Sequence, residues 1–123
     1  MPYNILIVDD SATMRMLVKM TLKTFPDINT FEAKDGVEAI EICANNKMDL
    51  VITDLNMPEM NGFDFIRYLR KNPNYKDVQI IVLSTEGRDD DKEQAMRLGA
   101  NDYIVKPFQP FQLQAKVKKI LNL

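Results

Sequence analysis

Short apolar runs alternate with longer amphipathic segments from one end of the chain to the other. The runs are rich in β-branched residues, which is typical of strands, and the segments between them repeat apolar residues at helical spacing. The pattern predicts five strands, at residues 5–8, 28–33, 49–53, 78–83 and 103–105. It also predicts five helices: over residues 12–24, after Asp35-Gly36, after Gly62, over residues 89–98, and around Leu113, Val117 and Leu121.

This strict alternation predicts an α/β fold, in which helices cover both faces of a parallel sheet. The first, third and fourth strands are almost continuously apolar, as expected for strands that are buried on both sides. The 123 residues contain no repeat, no low-complexity tract and no linker. We therefore expect one doubly wound domain over residues 1–123.

Composition excludes several classes of function. Sixteen basic and eighteen acidic residues leave a net charge of -2, which gives no electrostatic basis for binding nucleic acid. Histidine is absent, so imidazole metal sites and histidine acid–base catalysis are excluded. No apolar run approaches the roughly 20 residues of a membrane helix, and the N-terminus lacks the features of a secretory signal. We expect no membrane insertion and a cytoplasmic location, in which the single Cys43 is a buried structural thiol.

Polar and charged side chains stand where four of the predicted strands end. The first strand ends at Asp9 and Asp10, the third at Asp54, the fourth at Ser84 and the fifth at Lys106. Any one of these aspartates alone is better explained as a turn residue. Three together are different, because two carboxylates about 5 Å apart repel by roughly 3 kcal/mol. Hard oxygen ligands without histidine or cysteine favour magnesium, manganese or calcium, and we take Mg²⁺ as the cofactor.

Lys106 and Ser84 suggest that this edge holds an anion as well as a cation. An ammonium offsets one carboxylate charge and binds an incoming anionic oxygen, and the hydroxyl adds a neutral donor. A cation, a lysine and a hydroxyl around one carboxylate could each hold one oxygen of a phosphoryl group in an in-line transfer. Taken alone, Lys106 is better interpreted as a solvated lysine at the end of a strand.

The full pattern resembles the response-regulator receiver domains of two-component signalling. It is carried by Asp9-Asp10, by Asp54 within DLNMPEMNG, by Ser84-Thr85, by Tyr103 and by Lys106-Pro107-Phe108, in order along the whole chain. The resemblance implies a flavodoxin-like (βα)5 fold with strand order 2-1-3-4-5. It also implies a switch that promotes only its own phosphorylation and dephosphorylation, and is not otherwise an enzyme.

The resemblance further assigns a role to each site residue. Asp54 is the phosphoacceptor, and Lys106 and Ser84 contact the phosphoryl oxygens. Asp10, Asp54 and the backbone carbonyl of Asn56 ligate magnesium, with Asp9 acting mainly through water. Tyr103 is the aromatic switch that turns inward on activation, together with Ser84. The residues expected to tune the rates are Asn56, Glu86 and Thr85, the last replacing a small residue usual at that position.

Asn56 and Glu86 make the chain most similar to single-domain chemotaxis regulators. The implied partners are a histidine kinase as phosphoryl donor, a flagellar motor switch protein as target, and a phosphatase. The alternatives are a phosphorelay shuttle or phosphate sink, and a receiver fragment of a larger regulator. A degenerate receiver that works as a scaffold does not fit the intact set of site residues.

Two other classes of protein do not fit the residues that follow the first and third strands. A flavodoxin-type flavoprotein requires a hydroxyl- and glycine-rich phosphate loop after the first strand, where this chain has two carboxylates. A phosphatase of the haloacid-dehalogenase class carries a second aspartate two residues after the nucleophile, where this chain has Asn56.

Met14, Met16 and Met20 are expected to pack inside the protein rather than to form a cofactor site.

Overall fold

Five strands and five helices alternate in the computed structural model, which describes residues 2–123. The strands are β1 (Tyr3–Val8), β2 (Ile28–Ala33), β3 (Leu50–Thr53), β4 (Gln79–Ser84) and β5 (Asp102–Val105). The helices are α1 (Ala12–Leu22), α2 (Gly36–Asn45), α3 (Gly62–Lys71), α4 (Asp89–Leu98) and α5 (Pro110–Leu121). A 3₁₀ turn, Pro73–Tyr75, precedes β4. The predicted elements are all present.

The sheet is parallel throughout and has the strand order β2-β1-β3-β4-β5, as expected. β1 lies between β2 and β3, and its last residue, Val8, pairs with Ala33 of β2 and with Thr53 of β3. Ser84 at the end of β4 pairs with Val105 at the end of β5. Because the strands are parallel, all of their carboxyl ends meet at one edge of the sheet.

Alternate residues of each strand enter two separate apolar cores. One core lies under α2, α3 and α4 and includes Leu6, Val51, Phe65 and Ile80. The other lies under α1 and α5. Cys43 belongs to the first core, and its burial raises the pKa of its thiol to about 11. The expectation of an inert structural thiol agrees with this position.

Several helix ends follow their sequence signals. Ser11 caps α1 by accepting a hydrogen bond from the Met14 amide at 3.2 Å. Gly99 ends α4 in the left-handed region, at φ 119°. α1 ends at Leu22, two residues earlier than predicted, and β4 lies one residue later than predicted, so that Ser84 belongs to the strand.

The methionines of α1 were predicted to pack, and for two of them that is wrong. Met16 is 60% exposed and Met20 is 59% exposed, whereas Met14 packs against the second core. Only one narrow stripe of α1 faces the sheet, and it is supplied by Val18, Thr21 and Leu22. Within residues 2–123, no helix has the length and the apolar content needed to cross a membrane.

Candidate functional site

The parallel sheet brings the three predicted aspartates together. Asp9 and Asp54 directly follow the paired residues Val8 and Thr53, so they leave the sheet side by side. Asp9, Asp10 and Asp54 each offer a carboxylate oxygen, and these oxygens lie within 4.8 Å of one another. Asp9 and Asp54 are buried, whereas Asp10 is exposed.

Lys106 lies among these carboxylates rather than in solvent. Its Nζ is 2.6 Å from Asp9 Oδ2 and 3.2 Å from Asp54 Oδ2, and its side chain is only 8% exposed. Its amide donates to the Ser84 carbonyl at 2.8 Å, which continues the pairing of β4 and β5 by one residue. The peptide bond to Pro107 is cis. The reading of Lys106 as a solvated lysine is therefore wrong.

The carboxylate of Asp54 is held in one orientation. Its Oδ1 accepts hydrogen bonds from the backbone amides of Leu55 at 2.6 Å and Asn56 at 3.3 Å, while Oδ2 faces Lys106. The acceptor loop folds back on itself, because the Gly62 amide donates to the Leu55 carbonyl at 2.8 Å. A Cβ at Gly62 would lie 2.2 Å from the Asp54 carbonyl oxygen, so only glycine fits this close approach. Gly62 thus allows the acceptor loop to close against the backbone of Asp54.

Burial and charge act together on the titration of this cluster. Burial raises the pKa of Asp9, against the lowering effect of its hydrogen bonds to Lys106 and the Ser11 amide, and the negative charge of Asp54 raises it further. Burial alone would lower the pKa of Lys106, but its hydrogen bond to Asp9 and the charges of Asp54 and Asp9 outweigh that effect and raise it. Lys106 therefore remains an ammonium, and it is shared by two carboxylates that compete for it.

The donor set fits a hard divalent cation. Three carboxylates and one ammonium leave an excess of two negative charges in a small volume, which a divalent ion would neutralise. Asp10 is exposed, and within residues 2–123 its side chain accepts no hydrogen bond. Asp9 is already engaged by Lys106 and by the Ser11 amide, at 2.6 Å and 2.9 Å. The two adjacent aspartates are therefore held differently, Asp9 by two donors and Asp10 by none within residues 2–123.

Ser84 and Tyr103 meet through the backbone of Glu86. Ser84 is completely buried, and its Oγ accepts a hydrogen bond from the Glu86 amide at 3.2 Å. The hydroxyl of Tyr103 donates to the Glu86 carbonyl. The Tyr103 ring is 6% exposed, so it is turned inward in this structure. Burial raises the pKa of the Tyr103 phenol, and the charges of Asp91, Glu86 and Asp54 raise it further.

The residues expected to tune the rates form a rim over the site. The Asn56 side-chain amide donates to Glu86 Oε1 at 2.5 Å, which joins the loop after β3 to the loop after β4. Asn56 and Thr85 are both exposed. The sequence paired Asn56 with Glu86 only through the family resemblance. Their hydrogen bond could not be anticipated from the pattern, because the two residues are thirty positions apart.

Sequence reasoning missed one residue of this site altogether. Arg15 Nη1 donates to the backbone carbonyl of Asp9 at 2.6 Å. From its position on an amphipathic helix, Arg15 is expected to face solvent like any other helical arginine. The sequence pattern contains no signal that its side chain folds back toward the turn before α1.

Comparison with known proteins supplies the decisive observation. The family model described as "Response regulator receiver domain" matches residues 5–118. The chain belongs to this family. Its members are signalling proteins rather than conventional enzymes, and they take phosphoryl groups from histidine kinases and act on partner proteins.

Similar receiver proteins cover nearly the whole chain. Chemotaxis protein CheY1 of Helicobacter pylori is 43% identical over 96% of both chains. Chemotaxis protein CheY of Pseudomonas aeruginosa is 38% identical over 96% of this chain and 95% of its own. The crystal structure of the chemotaxis response regulator CheY4 of Vibrio cholerae matches with a TM-score of 0.89 and 33% identity, over 98% of this chain and 99% of that one. The expected family and fold are therefore confirmed.

Proposed function

We propose that this receiver is a phosphorylation-activated switch of chemotaxis that accepts a phosphoryl group from a histidine kinase onto Asp54. One observation carries the proposal. The Asp54 carboxylate is held at Oδ1 by two backbone amides and faces Lys106 at Oδ2, inside a cluster of carboxylates that calls for a divalent cation. The similarity to CheY proteins supports a role in chemotaxis, in the cytoplasm.

The transfer forms one bond and breaks one. A carboxylate oxygen of Asp54 attacks the phosphorus of a phosphohistidine, the P–N bond breaks, and the imidazole of the kinase leaves with the electron pair. Lys106 holds one phosphoryl oxygen with its ammonium, and the Ser84 hydroxyl holds another. Mg²⁺, held by Asp10, Asp54 and the Asn56 carbonyl, with Asp9 reaching it through water, would neutralise charge on the phosphoryl group.

Phosphorylation then acts on the loop between β4 and α4. Ser84 Oγ now accepts from the Glu86 amide, and a hydroxyl that turns toward a phosphoryl oxygen gives up that contact. Glu86 also anchors Tyr103, so the change reaches β5. Asn56, Glu86 and Thr85, at the rim, govern access of water or a phosphatase to the acyl phosphate.

The output surface consists of α4, β5 and α5, and its partner is a flagellar motor switch protein. Val105 is 44% exposed and Phe111 is 66% exposed on this surface, next to the buried ring of Tyr103. The surface therefore offers apolar contacts whose arrangement depends on the switch. A coupling free energy of about 1–3 kcal/mol would raise partner affinity about 5- to 150-fold.

Intact mass spectrometry tests the acceptor. Incubation with acetyl phosphate and Mg²⁺ should add one phosphoryl group to the wild-type protein and none to Asp54→Asn. Asp64→Asn is a matched control, because Asp64 is an exposed carboxylate on α3 whose ion pair, among residues 2–123, is with Arg67. A phosphoryl group that still appears on Asp54→Asn would contradict the proposal.

A binding measurement tests the output. The beryllofluoride-activated protein should bind a purified motor switch protein more tightly than the untreated protein does, and Tyr103→Ala and Lys116→Glu should weaken that binding. Binding confined to kinases and phosphotransfer proteins would favour a phosphorelay shuttle or a phosphate sink instead.

A further inference from the structure

The turn between β1 and α1 carries two aspartates with unequal support. The carboxylate of Asp9 is held by the Ser11 amide and by Lys106, at 2.9 Å and 2.6 Å. The side chain of Asp10 is exposed and has no hydrogen-bond donor within residues 2–123. The direction in which the Asp10 carboxylate points therefore depends on its main chain, and first of all on the peptide that joins it to Asp9.

Arg15 holds that peptide from the first turns of α1. Its Nη1 donates to the Asp9 carbonyl at 2.6 Å, and its Nε donates to Glu32 Oε1 at 3.1 Å. Glu32 is a β2 residue that pairs with Ile7 of β1, so its main chain is fixed in the sheet. The Arg15 side chain is 18% exposed. Two hydrogen bonds from one planar group fix its orientation, and with it the plane of the Asp9–Asp10 peptide.

We infer that Arg15 is a positioning residue that aims the Asp10 carboxylate into the cation site through the Asp9–Asp10 peptide. The inference deepens the proposed function, because it rests on Mg²⁺ binding at this site. Arg15 does not touch the cation. It belongs to the layer of hydrogen bonds that orients a ligand, whose loss typically weakens metal binding about 10- to 100-fold.

The role requires the arginine fork and not merely a positive charge. Lys19 also pairs with Glu32, at 3.6 Å, but it has no contact with Asp9. A lysine at position 15 would keep the charge, yet its single ammonium cannot reproduce two divergent donors on a rigid plane. Replacement of Arg15 by lysine therefore separates geometry from electrostatics.

Metal titration of Arg15→Lys provides the first test. Calorimetry should show that Arg15→Lys binds Mg²⁺ roughly tenfold more weakly than the wild type. Two controls should keep wild-type affinity. Arg67→Lys makes the same exchange on α3 in an exposed pair with Asp64, and Lys19→Gln removes the other cation from Glu32. An unchanged affinity in Arg15→Lys, or an equal loss in Lys19→Gln, would overturn the inference.

A double-mutant cycle separates positioning from a general structural role. In an Asp10→Asn background, Arg15→Lys should cause no further loss of Mg²⁺ affinity, because the ligand that Arg15 aims is already absent. A tenfold loss that persists in that background would show that Arg15 acts elsewhere.

A measurement without metal keeps this inference distinct from the proposed function. In the metal-free protein, the ¹⁵N shift of the Asp10 amide should move in Arg15→Lys and stay in place in Lys19→Gln. A wild-type protein that fails to bind Mg²⁺ would contradict the proposed function. An Asp10 amide ¹⁵N shift that is unchanged in Arg15→Lys would contradict the positioning role, whether or not Mg²⁺ binds.

Discussion

The two ends of the sheet place charged side chains in opposite ways. At the carboxyl end, Asp9, Asp10 and Asp54 share the single ammonium of Lys106. At the amino end, the guanidinium of Arg70 donates to three backbone carbonyls and to the side chain of Asn101, at 3.0 to 3.3 Å. Like charges crowd one end, whereas the other is a set of matched donors and acceptors.

The hydrogen bonds at the amino end hold α3 and the neighbouring loops together. Arg70 ties the end of α3 to the residues that precede β4 and β5, and Asn101 also accepts from the Ile80 amide at 2.8 Å. Asp49 accepts from the Asn4 amide at 2.8 Å in the same way. A cavity of about 640 Å³ opens nearby, lined by residues between Cys43 and Asp49 and between Asn74 and Val78. The cavity lies away from the acidic cluster.

Hydrogen bonding alone does not distinguish the two ends. Among residues 2–123, no buried side-chain nitrogen or oxygen lacks a hydrogen-bond partner. The difference lies in charge balance. An excess of negative charge opposes folding, and it distinguishes the carboxyl end as the end where the proposed cation would bind.

Arg70→Ala should show the largest effect and should affect stability alone. The change leaves several carbonyls without their donor, and we expect a loss of about 3 kcal/mol in the free energy of unfolding. Urea denaturation measures the loss, and phosphorylation of Asp54 by acetyl phosphate, below the unfolding transition, should be retained. An Arg70→Ala protein with wild-type stability but impaired phosphorylation would contradict the proposed difference between the two ends.

Gly62→Ala should show that the carboxyl end is sensitive to shape. The new Cβ meets the backbone at Asp54 and Leu55, which cannot yield as a flexible side chain would. We expect a loss of about 2 kcal/mol in unfolding free energy, together with slower phosphorylation, because the acceptor loop must move. Gly87→Ala, whose Cβ would lie 3.3 Å from a side-chain methyl of Val105, is the matched control. Equal effects of the two changes would contradict this reading.

Asp9→Asn should leave the metal-free protein as stable as before, or slightly more stable. Relief of repulsion of roughly 3 kcal/mol is offset by loss of a charge-assisted hydrogen bond worth about 1.5–3 kcal/mol, so the net gain lies between zero and about 1.5 kcal/mol. The pKa of Asp9 is raised above 3.8 in the folded state, so its ionisation costs stability as pH rises through that folded value. The advantage of Asp9→Asn should therefore grow as the pH rises from 3.8 through the folded pKa of Asp9, and stay level above it.

Urea titrations of both proteins over that pH range, without divalent ions, measure this difference. Asp49→Asn is the control at the other end of the sheet, where removal of the charge weakens a satisfied hydrogen bond and should lower stability. A clear loss in Asp9→Asn at neutral pH would mean that the acidic cluster is balanced without a cation.

Asn56→Ala should have the smallest effect on stability and a visible effect on kinetics. Asn56 is exposed, and loss of its hydrogen bond to Glu86 should cost under about 0.5 kcal/mol. The loop after β3 then separates from the loop after β4, which changes access of water to the acyl phosphate. The decay of phosphorylated protein, followed by intact mass, should change several-fold. An unaltered decay would remove Asn56 from the rim.

The sequence alone determined the fold class and which residues meet at the carboxyl end of the sheet. Alternating apolar runs and amphipathic segments specify their own local structure, because burial of one face requires a fixed period. Asp9, Asp10, Asp54, Ser84 and Lys106 could be selected because each follows or ends a strand, and parallel strands end at one edge. The exposed Met16 and Met20 were misjudged, since composition does not tell how much of a helix its neighbours cover.

The tertiary structure decided which of these groups are in contact and how their charges act on one another. The division of Lys106 between Asp9 and Asp54 depends on distances of 2.6 Å and 3.2 Å, which the order of residues does not contain. The same holds for the contact of Asn56 with Glu86 and for the reach of Arg15 back to the Asp9 carbonyl. Such contacts are set by rotamers and by loop paths between distant segments. A pattern with a period of two or 3.6 residues carries no information about either.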